Sequence, residues 1–128
     1  MAFATRVFQV AWLYGLAVLT PQFFLEAQTG RDFPPPITHP EFYYGFVGVA
    51  WAWQVAFLLI ARDPARYRPL MIPAILEKVA FGGAALALLV AGRVPALVAM
   101  FGGIDLVLAT LFAAAYRRTA DQAVASTK

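Results

Sequence analysis

The chain has 128 residues, of which 62% are hydrophobic and only 13% are charged, and its mean hydropathy is +0.70. A soluble domain would have about a quarter charged residues, so this composition excludes an ordinary soluble protein. The net charge is +3, but the basic residues lie at the ends of apolar segments, where they act as topology signals, and we expect no nucleic-acid partner. The absence of cysteine excludes disulfides, thiolate catalysis and Cys-ligated metals.

The apolar residues are gathered into four segments, each close to the ~20 residues that a membrane-spanning helix needs. We therefore predict an all-α, four-helix transmembrane bundle that forms a single integral membrane domain over residues 1–128. The predicted helices cover residues 3–20, 41–61, 70–91 and 96–116. These are called segments 1 to 4 below.

Residues 21–40 form the longest part of the chain outside the four segments. Pro21 is expected to close segment 1, because the residue before a proline is disfavoured in the α conformation. Gly30 and the run Pro34–Pro36 predict an interrupted, partly polyproline conformation. Several aromatic residues favour a position at the membrane interface or folded back over the bundle. We predict a proline-rich outer loop with a short helix over residues 22–28.

Segment 2 contains small residues at every fourth position, which form one stripe: Gly48, Ala52 and Ala56. Such a stripe permits close approach of another helix. A loop rich in arginine leads to segment 3, and a tight turn near Arg93 leads to segment 4. Arg117 and Arg118 predict the end of segment 4, and we expect residues 117–128 to form a frayed tail.

The basic residues predict the orientation in the membrane. If the N-terminus is inside, seven of them lie on the inner side: Arg6, Arg62, Arg66, Arg68, Arg117, Arg118 and Lys128. Only Arg31 and Arg93 lie on the outer side. Under the positive-inside rule, this difference places both termini in the cytoplasm and residues 21–40 outside. The expected location is the bacterial inner membrane, with multiple spans.

Segments 3 and 4 contain charged residues in mid-run, namely Glu77, Lys78 and Asp105. A charge in hydrocarbon costs a few kcal/mol even on lenient insertion scales, so such groups turn inward and find partners. The two segments form a hairpin that turns near Arg93, with Lys78 fifteen residues before it and Asp105 twelve after it. At ~1.5 Å per residue, their depths differ by only about 4–5 Å. The spacing predicts a contact between Lys78 and Asp105.

Small residues support this contact, because they let two helix backbones approach closely. Gly82 and Ala85 share a helix face with Lys78, and Gly102 and Ala109 share one with Asp105. Glutamines in segments 1 and 2 fall in the same half of the membrane. The predicted polar layer therefore consists of five residues: Gln9, Gln54, Glu77, Lys78 and Asp105.

Two interpretations of this polar layer remain open. In the structural one, the three charges neutralise one another and the glutamines connect helices by hydrogen bonds. In the functional one, the layer lines a cavity for a ligand, a proton path or a substrate. Two acids and one lysine leave one acid in excess. Either one carboxyl is protonated because burial disfavours its charged form, or an added cation or hydrogen-bond donor completes the layer. Tyr67 or Arg68 could do so only if drawn inward.

His39 and Glu41 lie two residues apart at the predicted outer mouth of the bundle. The simpler interpretation is that this run begins segment 2, with an acid at the positive end of the helix dipole. A lone histidine with one acid lacks the further ligands of a metal site, and as a general acid or base it lacks a defined partner. We expect neither a metal nor a cofactor.

The hydropathy, the polar residues in the two later helices and the arginines that close segments 2 and 4 resemble the small bacterial DoxX-like membrane proteins. This resemblance covers most of the chain and implies links to quinone-related electron transfer and oxidative stress. In outline, the chain also resembles sterol-isomerase-type bundles, in which buried acids, a histidine and tryptophans handle a lipophilic substrate. Only four residues could take those parts here: Glu77, Asp105, Trp51 and Trp53. Small multidrug transporters have their key acid in the first helix, and segment 1 has none.

Three functions follow as hypotheses. The first is binding of a lipophilic small molecule, a quinone or a lipid, in a cavity lined by four residues: Gln54, Glu77, Lys78 and Asp105. The second is a non-catalytic accessory subunit of a larger membrane complex, or a homo-oligomer. The third is an isomerase or reductase that uses Glu77 or Asp105 as acid and base. An internal pocket that ends on polar groups would favour the first, and a tightly packed core the second. Catalysis would need a carboxyl that faces open space.

Overall fold

The computed structural model describes the backbone of residues 1–125 and the side chains of residues 1–122. Within this part of the chain, the secondary structure is helical without strands. It comprises α1 (Ala2–Leu19), α2 (Glu26–Asp32), α3 (Pro40–Arg62), α4 (Met71–Val90) and α5 (Ala96–Ala125). Short 3₁₀ segments, Thr20–Phe24 and Arg68–Leu70, follow α1 and precede α4. Four of the described helices, α1, α3, α4 and α5, are long and apolar enough to cross a membrane.

The predicted all-α bundle is confirmed as far as its four long apolar helices are concerned. Helices α1, α3 and α4 each begin and end within one residue of predicted segments 1, 2 and 3. This agreement follows from hydropathy, because the length of an apolar run is set by the thickness of the hydrocarbon that it crosses. The orientation in the membrane stays a prediction.

The last helix is longer than predicted. The expectation that Arg117 and Arg118 end segment 4, with a frayed tail over residues 117–128, is wrong for the described residues, because α5 continues to Ala125. Arginines indicate where a helix leaves the hydrocarbon, but they are good helix formers, unlike glycine or proline. Thr119 is buried against the bundle, so this extension also packs.

The four long helices do not contact one another equally. Helix α1 packs against α3 and α5, α4 packs against α5, and direct contact between α3 and α4 is slight. A gap therefore remains between α3 and α4. We call the end of the bundle that holds Arg62, Arg68 and Arg117 the arginine end, and the opposite end, which holds α2, the α2 end.

The bundle is filled with aromatic rings near the arginine end. Phe8, Phe57 and Phe112 come from α1, α3 and α5 and are fully buried. The ring centroids of Phe8 and Phe112 are 4.2 Å apart, and those of Phe57 and Phe112 are 5.1 Å apart. From α4, Met71 and Ala74 complete this core, and both are fully buried. Because lipid tails are as apolar as these side chains, close packing rather than the hydrophobic effect stabilises the contact in a membrane.

Helices α4 and α5 cross at a contact between two glycines. A Cβ atom added to Gly82 would lie 2.7 Å from the carbonyl oxygen of Gly102, and one added to Gly102 would lie 2.5 Å from the Cβ of Ala85. Neither position has room for a side chain, so the two backbones touch, as the small residues of segments 3 and 4 predict. The hairpin turns at Gly92, whose φ of 69° is a conformation that glycine adopts readily.

The small residues of α3 behave differently. Gly48, Ala52 and Ala56 were expected to permit close approach of another helix. However, Ala52 is exposed, and a Cβ added to Gly48 would meet no described atom within 4 Å. Within the described bundle, no neighbouring helix therefore approaches α3 closely at Gly48 or Ala52, whereas Ala56 is half-buried. A period of four residues identifies a helix face but does not say which neighbour covers it.

Two tyrosines near the start of α3 hold the segment between α1 and α3 against the bundle. The Tyr43 hydroxyl donates a hydrogen bond of 2.7 Å to the carbonyl oxygen of Gln22. The neighbouring Tyr44 hydroxyl donates one of 2.8 Å to Glu26 Oε2. Two neighbouring tyrosines thus attach the preceding segment to the start of α3.

The helix within this segment begins later than predicted. A helix was expected over residues 22–28, but the 3₁₀ segment ends at Phe24 and α2 covers Glu26–Asp32. Gly30, expected to interrupt helical structure, lies inside α2. A Cβ atom there would be only 3.1 Å from the Cα of Pro36, so the glycine allows the proline run to pack closely on α2.

Candidate functional site

Three charged side chains of α4 and α5 meet in the middle of the bundle, and we call them the charged layer: Glu77, Lys78 and Asp105. Lys78 Nζ donates a hydrogen bond of 3.3 Å to Asp105 Oδ1 and lies 3.4 Å from Glu77 Oε2. The Lys78 and Asp105 side chains are only 7% and 11% exposed. The contact predicted between Lys78 and Asp105 is therefore present.

Neither Tyr67 nor Arg68, the two groups that the sequence offered to balance the excess acid, does so in the structure. Arg68 is engaged elsewhere, because its Nε donates a hydrogen bond of 3.3 Å to the carbonyl oxygen of Tyr116 and its guanidinium carbon lies 3.7 Å from the centroid of the Tyr116 ring. Tyr67 packs against the apolar core. Among the groups of the charged layer, one ammonium lies between two carboxylates.

Gln54 of α3 is buried beside the charged layer, with 1% of its surface exposed. Its Nε2 donates a hydrogen bond of 2.8 Å to the carbonyl oxygen of Ala50, one turn earlier in the same helix. Its Oε1 accepts no hydrogen bond from any described residue. A Cβ atom at Gly15 would overlap this amide group, so the glycine of α1 provides the space that Gln54 occupies.

A cavity extends from the charged layer toward the α2 end, in the gap between α3 and α4. Its volume is about 420 Å³, within the range of about 300–1,000 Å³ that is common for small-molecule sites. Its polar end is formed by residues of all four long helices: Tyr14, Gln54, Glu77, Lys78 and Asp105. The opposite end is bounded by residues of α3 and of the segment before it, among them Gln22, Thr29 and Tyr43.

The walls of the cavity are largely apolar and include three phenylalanines: Phe46, Phe81 and Phe101. Phe46 of α3 and Phe81 of α4 pack against each other across the gap, with ring centroids 5.8 Å apart. Phe46 is 53% exposed at the surface of the bundle although it also lines the cavity. This pair therefore forms the part of the wall that separates the cavity from the outer surface between α3 and α4.

Two parts of the predicted site lie elsewhere. Gln9 was predicted to join the polar layer, but it is exposed on the outside of α1 and is not among the cavity residues. It lies five residues before Tyr14, the residue of α1 at the polar end of the cavity, and on the outside of the helix. His39 and Glu41 were predicted at the outer mouth, but they too do not line the cavity. His39 Nδ1 lies 3.1 Å from Glu41 Oε1 in an exposed pair where α3 begins.

Sequence reasoning missed the contribution of α1 and of the phenylalanine walls. Tyr14 and Gly15 line the cavity, and α1 approaches Gln54 closely because Gly15 has no side chain. A tyrosine and a glycine side by side in an apolar segment were the available signal. Phe46, Phe81 and Phe101 could not be distinguished from lipid-facing residues, since an apolar side chain is suited to either surface. The cavity itself depends on the slight contact between α3 and α4, which composition does not reveal.

Comparison of the chain with protein-family models, with curated proteins and with solved structures finds no match. The geometry of the charged layer and of the cavity is therefore the basis on which a function is argued.

Proposed function

We propose that this protein binds a small lipophilic molecule, of the quinone or lipid class, in the cavity between α3 and α4. The polar group of the ligand lies at the charged layer, and its apolar body lies among the phenylalanines of the walls. The host membrane is the bacterial inner membrane, with both termini in the cytoplasm. The resemblance to DoxX-like proteins belongs to the same proposal and is consistent with a quinone.

The observation that supports this proposal is the coincidence of an apolar cavity with buried charges at one end of it. Ligand sites are commonly apolar pockets with a few convergent polar groups that fix the orientation of the ligand. A purely structural ion cluster requires no free volume, because charges in a membrane interior are best satisfied when packed against one another. Here about 420 Å³ adjoins the charged layer.

The geometry favours binding over catalysis. Glu77 and Asp105 both have an oxygen directed at Lys78, at 3.4 and 3.3 Å, rather than both carboxyls facing open space. The tryptophans that the sterol-isomerase resemblance would employ do not line the cavity. Trp51 is exposed and donates a hydrogen bond of 3.2 Å to Thr20 Oγ1, and Trp53 packs against Phe57. An isomerase or reductase is therefore the less favoured alternative.

The proposal is tested by filling the cavity without altering the charged layer. Val98 lies near the start of α5 and lines the cavity, whereas Val107 of the same helix is 61% exposed on the outside. Val98→Trp should reduce the bound lipophile at least tenfold because the indole occupies its volume, and Val107→Trp should leave it unchanged. The measurement is native mass spectrometry of each variant after gentle extraction from its own membrane.

The same measurement separates the alternatives. A co-purifying membrane protein, with no small ligand on the parent protein, would favour the accessory subunit. A ligand that persists in Val98→Trp would place the binding site elsewhere. Thermal unfolding of both variants provides the control, because a folded Val98→Trp protein that has lost its ligand shows that the loss arises from occupied volume and not from misfolding.

A further inference from the structure

The groups at the polar end of the cavity differ from one another in whether they have a hydrogen-bond partner. The amide of Gln54 can be oriented without ambiguity, because its neighbour, the carbonyl oxygen of Ala50, can only accept a hydrogen bond. The nitrogen must therefore lie on that side, at 2.8 Å, and the oxygen on the other side, beside Gly15. Gly15 and Gln54 both line the cavity. The group without a partner is thus an acceptor.

Glu77 also has an acceptor atom without a hydrogen-bond donor. Its Oε2 is buried and lies 3.4 Å from Lys78 Nζ, at ion-pair distance, while the ammonium donates a hydrogen bond to Asp105. The side chain of Glu77 is also the most exposed of the charged layer, at 21%. Glu77 lines the cavity and its Oε2 is buried, so the carboxylate oxygen that it can offer to a ligand is Oε1, which accepts no hydrogen bond from any described residue.

The donors at this end are largely engaged already. The ammonium of Lys78 has three N–H bonds. It donates one to Asp105, lies at ion-pair distance from Glu77 Oε2, and is 5.4 Å from the centroid of the Phe57 ring. The hydroxyl of Tyr14 can either donate or accept. The acceptors without a donor among the described residues are therefore Gln54 Oε1 and Glu77 Oε1. With both carboxylates ionised, the layer also has an excess negative charge.

We infer that the ligand of this cavity presents hydrogen-bond donors to Glu77 and Gln54, either as an ammonium group or as hydroxyl groups on an apolar body. This inference rests on the proposed function and narrows its chemistry. Within the quinone class it selects the reduced hydroquinone, whose two hydroxyls donate, over the quinone, whose oxygens only accept. Within the lipid class it selects lipophilic amines and hydroxylated lipids over esters and ketones.

The physical reason for this selectivity is that a buried acceptor without a donor loses its hydration and gains nothing in return. A donor that meets an ionised carboxylate makes a charge-assisted hydrogen bond, about twice as strong as a neutral one. An acceptor-only ligand would place oxygen against oxygen. The expected discrimination between ligands of the same shape is about tenfold to a hundredfold.

A matched pair of ligands tests the inference. A decyl-substituted benzoquinone and its hydroquinone share one carbon skeleton and differ by two hydrogen atoms. Decylammonium is the third probe and separates a charged donor from a neutral one. The bound fraction of each is measured by native mass spectrometry on protein in lipid nanodiscs, with the quinone pair kept in its two redox states. We expect the hydroquinone or the ammonium to bind at least tenfold more tightly than the quinone.

A substitution that changes acceptor into donor sharpens the test. Glu77→Gln introduces an amide N–H₂. It should therefore weaken the binding of donor ligands about tenfold and strengthen the binding of the quinone. Glu41→Gln is the matched control, because that carboxylate is 63% exposed and lies outside the cavity. It should change the affinity for neither the donor ligands nor the quinone. If Glu77→Gln is poorly folded, Gln54→Leu removes the other acceptor at similar volume and should also weaken the hydroquinone.

The outcomes distinguish this inference from the proposed function. If none of the three probes binds, and the protein extracted from its own membrane has no small ligand, the proposed function fails. If the quinone binds as tightly as the hydroquinone, or more tightly, the inference fails while the proposed function stands.

Discussion

The two halves of this bundle are built from the same kinds of residue but packed in opposite ways. Toward the arginine end, three phenylalanine rings meet at centroid distances of 4.2 and 5.1 Å, and the space between the helices is full. Toward the α2 end, three other phenylalanines surround about 420 Å³ of free volume. The charged layer lies between these halves. The comparison shows that aromatic content alone does not determine whether a membrane bundle is filled or hollow.

The difference arises from which helices touch. In the filled half, rings from α1, α3 and α5 converge and α4 closes the core with Met71 and Ala74. In the hollow half, α4 is held against α5 by the contact between Gly82 and Gly102, while α3 is held against α1. Each pair is closely packed by itself, and the volume between the pairs stays free.

The largest effect is expected where the two halves meet. Lys78→Met leaves two carboxylates without their cation in a buried position, and breaking a buried ion pair on one side costs about 3–5 kcal/mol. Little folded protein should remain, as measured by size-exclusion chromatography and thermal unfolding in detergent. The double variant Lys78→Met with Asp105→Asn should recover part of this loss. A single variant that unfolds at the temperature of the parent protein would show that the charges are already neutralised without Lys78.

The next prediction compares one phenylalanine from each half. Phe112→Ala should destabilise the protein by about 3–5 kcal/mol, because a fully buried ring is lost from a filled core. Phe101→Ala enlarges a space that is already open and should cost less than half as much. Thermal unfolding followed by circular dichroism measures both. Equal losses would contradict the distinction between a filled and a hollow half.

The smallest effect concerns the contact between α4 and α5. Gly82→Ala places a Cβ atom against the backbone of Gly102 and should cost about 1–3 kcal/mol through overpacking. Gly83→Ala is the control at the next position, where a Cβ meets no described atom within 4 Å. It should be neutral or stabilising, since alanine is favoured over glycine in a helix by roughly 0.5–1 kcal/mol. Equal melting temperatures for the two variants would mean that α4 can move away from α5.

Much of the fold could be predicted because it depends on one-dimensional properties. Apolar length located α1, α3 and α4 to within one residue. The contact between Lys78 and Asp105 followed from counting residues on either side of a hairpin turn, since depth in an antiparallel pair is proportional to sequence distance. The end of α5 was missed because arginine is a good helix former, so Arg117 and Arg118 do not end a helix.

The rest depends on how each helix is rotated about its own axis. Gln9 and Gln54 were assigned to one polar layer, yet Gln9 faces outward and Gln54 is buried beside the charged layer. Hydropathy does not determine rotation in a membrane helix, because lipid-facing and core-facing side chains are both apolar. For the same reason, the stripe at Gly48 was assigned to a contact that α3 does not make. The cavity is a result of these rotations and had no signal of its own in the sequence.

The slight contact between α3 and α4 has a mechanical consequence. The pair α1–α3 and the pair α4–α5 are joined chiefly along the seam where α1 meets α5. A small rotation about this seam would change the distance between Phe46 and Phe81 while leaving the packing inside each pair intact. The width of the cavity therefore depends on the angle between the two pairs, and the buried core of Phe57, Met71 and Phe112 fixes that angle at the arginine end.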